Sequence, residues 1–371
     1  MHLISFNYRF QASPASLTAV AILTLSACTT DETQTRTESS AATEGQGESS
    51  GGVMTLASDL DVPWGLVALD NGEALIGERD SATVWRVLTD GSREQVTTVP
   101  GVEPGGEGGL LGIAVPPGGD GSQFYAYITS GQDNRVIDVD TAGTSADDEP
   151  QVREVLVGIP KAGNHNGGRI AFGPDDYLYV TTGDASDGAS AQDSDSLAGK
   201  ILRITLDGQP APGNPDANSP VWSMGHRNVQ GLVWDDDGAM WASEFGENDL
   251  DELNLIEPGN NYGWPQCEGP CEGGDFTDPA LTWPTSDASP SGLAMGADGA
   301  LYMAALRGES LWRIPLLDGA AGAPERLLEG DYGRLRSVVN APNDSLWVLT
   351  NNTSRGEPAS DDDKLLAVPL P

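Results

Sequence analysis

An all-β fold, a six-bladed β-propeller, is predicted by three features of the chain: a turn-plus-strand unit that recurs six times, the steady spacing of those turns, and the absence of long amphipathic helices. Each unit opens with a polar or glycine turn and runs into an apolar strand. Turns at Asn71 and Gly72, Asp120 and Gly121, and Asp175 and Asp176 precede strands at 74–76, 124–128 and 178–181. Turns at Asp237 and Gly238, Asp298 and Gly299, and Asn343 and Asp344 precede strands at 240–242, 301–304 and 346–349. A second strand with alternating apolar residues follows most of them, at 83–87, 200–204, 252–256, 310–314 and 364–368. Successive turns lie about fifty to sixty residues apart, the length of a four-stranded sheet with its connections. A double β-sandwich also has short strands and frequent turns, but has no reason to repeat a whole four-stranded unit.

Composition narrows the partners. A chain of 371 residues with net charge -37 is excluded from general nucleic-acid binding, which needs basic surface to displace counterions. With only 19 lysines and arginines, most of them arginine, any cluster of guanidinium groups marks a candidate site for a fixed anion.

Residues 15–27 form an uncharged apolar run, too short for a mature membrane span and suited to a signal-peptide core. The run ends in Leu25, Ser26, Ala27 and Cys28, which resembles the lipobox of bacterial lipoproteins, where the cysteine is lipidated and becomes the first residue. Residues 29–52 are rich in Ser, Thr, Glu, Gln and Gly and cannot offset the entropy of ordering. The expected organisation is therefore a lipoprotein signal peptide at 1–27, a lipidated cysteine with a disordered tether at 28–52, and one domain at 53–371. Such a protein would be exported and lipid-anchored, facing the periplasm or the outside. The other cysteines, Cys267 and Cys271, share a Gly- and Pro-rich loop and are expected to form a local disulfide. No further Cys or His lies close in sequence to complete a tetrahedral metal shell.

A base working near neutral pH calls for imidazole or a strongly retuned carboxylate. Of the three histidines, His2 lies in the signal segment and His226 adjoins Arg227, whose charge opposes its protonation. His165 remains, within Ala162, Gly163, Asn164, His165, Asn166, Gly167, Gly168 and Arg169, followed by Thr181, Thr182, Gly183 and Asp184. The loop of Glu244, Phe245, Gly246, Glu247, Asn248, Asp249, Leu250, Asp251 and Glu252 offers carboxylate and carbonyl oxygens of the kind a hard cation prefers, without the alternating ligand spacing of an EF-hand.

Five motifs occur together and in order: Pro63, Trp64, Gly65, Leu66; Glu107, Gly108, Gly109, Leu110, Leu111, Gly112; the His165 stretch; Gly225, His226, Arg227, Asn228, Gln230, Gly231; and Asn260, Asn261, Tyr262, Gly263, Trp264, Pro265. This order, over residues 53–371, resembles that of the PQQ-dependent soluble aldose sugar dehydrogenases, the glucose/sorbosone dehydrogenase family. The resemblance implies oxidation of the anomeric hydroxyl of an aldose to a lactone, with hydride passing to the quinone. It implies His165 as the base, Asp184 as the acid that orients it, and Arg227 as the cation beside the quinone oxygens. Asn164, Asn228 and Glu107 would also contact the cofactor. Arg307, Arg334 and Arg336 would meet its carboxylates, a task suited to two-pronged guanidinium groups. The carbonyls of Gly246 and Glu247 would hold a calcium that bridges to the cofactor; Glu252 and the carbonyl of Tyr262 would serve a second, structural calcium.

The chain departs from the family in places. The glucose-oxidising branch has proline where Glu247 stands, a change that keeps the carbonyl ligand. Some relatives have lysine in place of Arg307. Several have glutamine in place of Glu107, where a carboxylate either repels the cofactor, stays protonated by desolvation, or accepts hydrogen bonds from sugar hydroxyls.

No serine elbow, Walker loop or Rossmann fingerprint is present. Two other classes compete: a calcium-dependent propeller lactonase, which needs no quinone, and a non-catalytic binding propeller. The absence of a Cys, x, x, Cys, His motif means that electrons would leave to a separate acceptor, a quinone, cytochrome or dye. A monomer or a dimer is expected.

Overall fold

The computed structural model describes residues 52–371 apart from Asp147. The expected signal segment, Cys28 and nearly all of the tether lie outside the described residues. The rest is built from six antiparallel sheets, the blades of a propeller. The first blade comprises Pro63–Ala68, Ala74–Glu78, Thr83–Val87 and Arg93–Thr98; the second, Leu110–Ala114, Gln123–Thr129, Asn134–Asp140 and Gln151–Ile159. The third holds Ile170–Phe172, Leu178–Thr181, Lys200–Ile204 and Val221–Met224; the fourth, Val229–Trp234, Met240–Glu244, Leu250–Ile256 and Leu281–Pro284. The fifth runs through Pro290–Met295, Ala300–Ala305 and Ser310–Leu317, with Ala320–Ala321 and Glu325–Leu327 both paired to its third strand. The sixth takes Leu335–Ala341, Ser345–Thr350 and Leu365–Pro369, and is completed by Met54–Ala57 from the start of the domain.

Three of the six recurrent turns share a chemistry. The Asp175 carboxylate accepts from the Tyr179 hydroxyl and from Arg203, and Asp298 does the same for Tyr302 and Arg313. Asp235 instead accepts from Trp241 Nε1. In each case the turn is tied to an aromatic residue on the strand it launches. Gly238 and Gly299 supply the left-handed backbone these turns require, at φ 83° and 75°.

There is no single core. Six apolar clusters lie one between each neighbouring pair of blades, such as Leu75, Phe124 and Ile128 between the first and second. Burying each such side chain contributes about 1.5–3 kcal/mol, so every blade is held by both neighbours. The first strands line the axis: Leu66, Ile113, Ile170, Leu232, Leu293 and Val338 border one cavity of about 320 Å³. Arg169 crosses this axis, donating to Gln230 O (2.9 Å) and Ser337 Oγ (3.0 Å) and stacking 4.3 Å from the Trp64 ring centre.

Candidate active site

In an antiparallel blade the first strand begins where the second ends, so the loops entering first strands and leaving second strands share one mouth of the propeller. His165 precedes the first strand of the third blade and Asp184 follows its second. Arg227 precedes the first strand of the fourth blade and Arg334 that of the sixth, while Arg336 is the second residue of the latter strand. Residues more than a hundred positions apart thereby converge.

His165 is held in the left-handed region, φ 58°, a conformation that costs a non-glycine residue energy unless its surroundings enforce it. Its N–H donates to Glu107 Oε2 (3.1 Å), and its carbonyl accepts from Ala185 (3.1 Å). The next residue, Asn166, is buried and bonded to Ala162 and Asn134, and its carbonyl accepts from Tyr127 (2.8 Å). Gly167 donates to Asn228 Oδ1 (3.0 Å). Across the loop a Cβ on Gly183 would lie 1.9 Å from the His165 carbonyl oxygen, so only glycine fits.

Both imidazole nitrogens are engaged. Nδ1 is 2.8 Å from Asp184 Oδ1, and Nε2 is 3.0 Å from Arg227 Nη2. A guanidinium only donates, so Nε2 is the acceptor and Nδ1 carries the hydrogen that goes to Asp184. Asp184 is almost wholly buried, which acts to raise its pKa. Hydrogen bonds from His165, Trp264 Nε1 and the Ser186 amide outweigh that and hold the carboxyl below its ordinary range.

Arg227 is fixed from behind. Its amide donates to Glu244 Oε1, and the other oxygen of Glu244 is bonded to His226 Nδ1 at 2.8 Å. His226 Nε2 meets Ser223 Oγ at 2.8 Å, and its ring stacks on Tyr262. The remaining histidine in the domain is thus a fully buried support for Arg227.

A cavity of about 40 Å³ opens beside Trp64 and Gln230 and is bordered by Arg79, Arg334, Arg336 and Arg355, with Glu107 as its one carboxylate. Burial, with repulsion from Arg334 and Arg79, pushes the Arg336 pKa far down; burial and repulsion from Arg355 lower that of Arg334. The Nε atoms of Arg227, Arg334 and Arg336 are buried without a partner. Buried polar groups are normally satisfied, so this corner of a strongly acidic protein is built for an anion with several acceptor oxygens. PQQ, with three carboxylates and a quinone, fits that donor set.

Other expected residues stand apart from the cavity. Arg307 is exposed and does not border it, although the preceding Leu306 does. Asn164 is exposed and accepts from Ser186 (2.7 Å); Asn228 spends its side-chain oxygen on Gly167. In the acidic loop, the amides of Glu247, Asn248, Asp249 and Leu250 all converge on Glu268 Oε1 at 2.6–3.0 Å. The carbonyls of Gly246 and Glu247 accept no hydrogen bond from the described residues. Glu252 accepts from Gly269 (2.7 Å) and Asn254 (3.0 Å), and burial beside Glu244 raises its pKa. The Asn254 side-chain oxygen is buried without a partner. Among the described residues no three His, Cys, Asp or Glu side chains form a metal-binding group. Cys267 and Cys271 are disulfide-bonded.

The family model described as glucose / sorbosone dehydrogenase matches residues 60–357. The chain belongs to this family. Among solved structures it resembles the PQQ-bound form of aldose sugar dehydrogenase from Streptomyces coelicolor, with 51% identity and a TM-score of 0.82 over 86% of this chain and 98% of that one. The aldose sugar dehydrogenase of Escherichia coli is 30% identical across 81% of this chain and 90% of its own length. The quinoprotein glucose dehydrogenase B of Acinetobacter calcoaceticus is 31% identical, over 58% of this chain and 52% of its own length.

In this glucose/sorbosone dehydrogenase, sequence reasoning missed several residues that the fold brings to the site. Trp64, Gln230 and Trp264 lay within the ordered motifs but had no assigned role. Arg79 and Arg355 had no local signal, because each follows an ordinary second strand and becomes significant only when the ring closes.

Proposed function

We propose that the protein is a PQQ-dependent aldose sugar dehydrogenase. The observation that carries this reading is the His165 ring, held at Nδ1 by Asp184 and at Nε2 by Arg227, beside a cavity bordered by Arg334 and Arg336, whose Nε atoms are buried without a partner. His165 Nε2 takes the proton of the anomeric hydroxyl. Asp184, ionised and desolvated, stabilises the imidazolium that results and keeps the ring in place. PQQ, when bound, supplies a quinone that receives the hydride from the anomeric carbon. Arg227 leaves Nε2 to the substrate and offers its charge to the oxygen on which negative charge grows. Arg334 and Arg336 would hold the carboxylates of PQQ.

Calcium belongs to the same reading. The carbonyls of Gly246 and Glu247 would ligate the ion next to the cofactor, and Glu252 with the Tyr262 carbonyl a second one; all are hard oxygen donors. The sequence of residues 1–28 supports export and a lipid tether at Cys28, with electrons passed to a separate acceptor.

The experiment is reconstitution of metal-stripped protein with PQQ and calcium, followed by dye reduction with a panel of aldoses. Sugar-dependent reduction that needs both additions is expected. Lactone hydrolysis without PQQ would replace this reading with a hydrolase, and inactivity in both assays would leave a binding propeller.

A further inference from the structure

Glu107 and Arg355 pair at the rim of the cavity. Glu107 Oε1 is 3.1 Å from Arg355 Nη2, while its Oε2 receives the His165 amide at 3.1 Å. Arg355 ends the one-turn helix Asn352–Arg355 and borders two spaces. One is the inner cavity of about 40 Å³; the other is an outer cleft of about 780 Å³ that also reaches Glu309, Tyr332 and Glu357.

The inner space is far smaller than ligand cavities, which run to about 300–1,000 Å³, and neither His165 nor Arg227 borders it, so it is one corner of a wider site. A cofactor carboxylate entering this corner meets the Glu107–Arg355 pair at its rim. Arg336 is pinned to Gln230 (2.7 Å) and Asn351 (3.0 Å), and Arg79 is forked onto Asp80 at 2.6 and 3.1 Å. Arg355 has a single ion pair and a side chain 59% exposed. A pair so exposed to water is weak, so exchanging one carboxylate partner for another costs little.

Resting on the dehydrogenase reading, we propose that Arg355 is an exchangeable counter-ion. It pairs with Glu107 before uptake, then moves to a cofactor carboxylate on uptake and releases Glu107 beside His165. The carboxylate that stands where several relatives have glutamine is therefore neutralised before the site is loaded. Arg355 acts as a cofactor-binding residue.

The test is PQQ uptake by calcium-loaded protein, followed by stopped-flow quenching of tryptophan fluorescence, since Trp64 borders the cavity. Loss of one charge-assisted hydrogen bond should make Arg355→Met bind about 10- to 100-fold more weakly, with Arg355→Lys recovering most of the affinity. Glu107→Gln, which frees Arg355, should speed association and shrink the effect of Arg355→Met, a non-additive pair. Arg355→Met binding at the wild-type rate and affinity, or Glu107→Gln leaving association unchanged, would overturn this proposal alone. Wild-type protein that takes up no PQQ would sink the dehydrogenase reading and this inference with it.

Discussion

Arg227 donates across 3.0 Å to His165 Nε2, the nitrogen that base catalysis needs. The contact fixes the tautomer and engages the acceptor lone pair until a hydroxyl takes the place of the guanidinium. Base and cation therefore act as one unit. His165→Ala should lose about 10²- to 10⁴-fold in the rate of sugar oxidation and Arg227→Met about 10²- to 10³-fold. The double variant should be little worse than the poorer single, as expected for groups that act together. Single-turnover bleaching of the bound quinone measures this, and simple multiplication of the two losses would count against a shared role.

Asp184→Asn keeps the shape of the site but removes the charge that answers the imidazolium. A fall of about 10²- to 10⁴-fold in turnover is expected, with PQQ affinity unchanged. The same residue has a pH signature. Its folded pKa lies below the ordinary value, so its stabilising contribution is complete above the unfolded carboxyl pKa of about 3.9 and is lost as pH falls through the lower folded one. Acid unfolding curves of wild type and Asp184→Asn should differ in slope only in that acid window.

Gly183→Ala probes the backbone rather than the chemistry. The added methyl meets the His165 carbonyl at 1.9 Å, so the two loops must part. Activity should fall far more than stability, because a displacement of about 1 Å at a reacting group costs on the order of 10²-fold in rate. A variant with wild-type turnover would mean that the His165 loop tolerates displacement.

Lys200 is buried beneath the segment that follows Asp184 and donates to the carbonyls of Ser190 (2.9 Å), Ala191 (3.0 Å) and Ala198 (2.7 Å). Lys200→Met would strand those oxygens and cost about 2 kcal/mol at neutral pH. Burial pushes the Lys200 pKa down to about 8. Between that value and the ordinary one near 10.4 the unfolded chain binds the extra proton. Wild-type stability should therefore rise across that window relative to Lys200→Met, as read by denaturant titration at several pH values.

The blades were legible because a polar or glycine turn just ahead of an apolar strand is a local signal, reinforced at some turns by an aspartate bonded to an aromatic residue. Asp175 with Tyr179 and Asp298 with Tyr302 are each four residues apart. The third strand of the second blade, Asn134–Asp140, escaped because Val136, Ile137 and Val139 break strict alternation. At the site, His165, Asp184 and Arg227 could be named because few residue types can do their work. The ordered motifs pointed to them as well. Arg307 was expected with the other arginines but points to solvent, and Arg355 entered the site unannounced; which arginine faces inward is decided by a loop's turn at the rim, something no local pattern encodes.

The sixth blade carries a further consequence. Met54 is registered against Ala367, so the earliest strand of the domain waits for nearly the last. Pairing at that separation is slow to form. A nascent chain has no closed ring to guard its sheet edges until both of these strands have been made, and deleting either one would unzip the same seam.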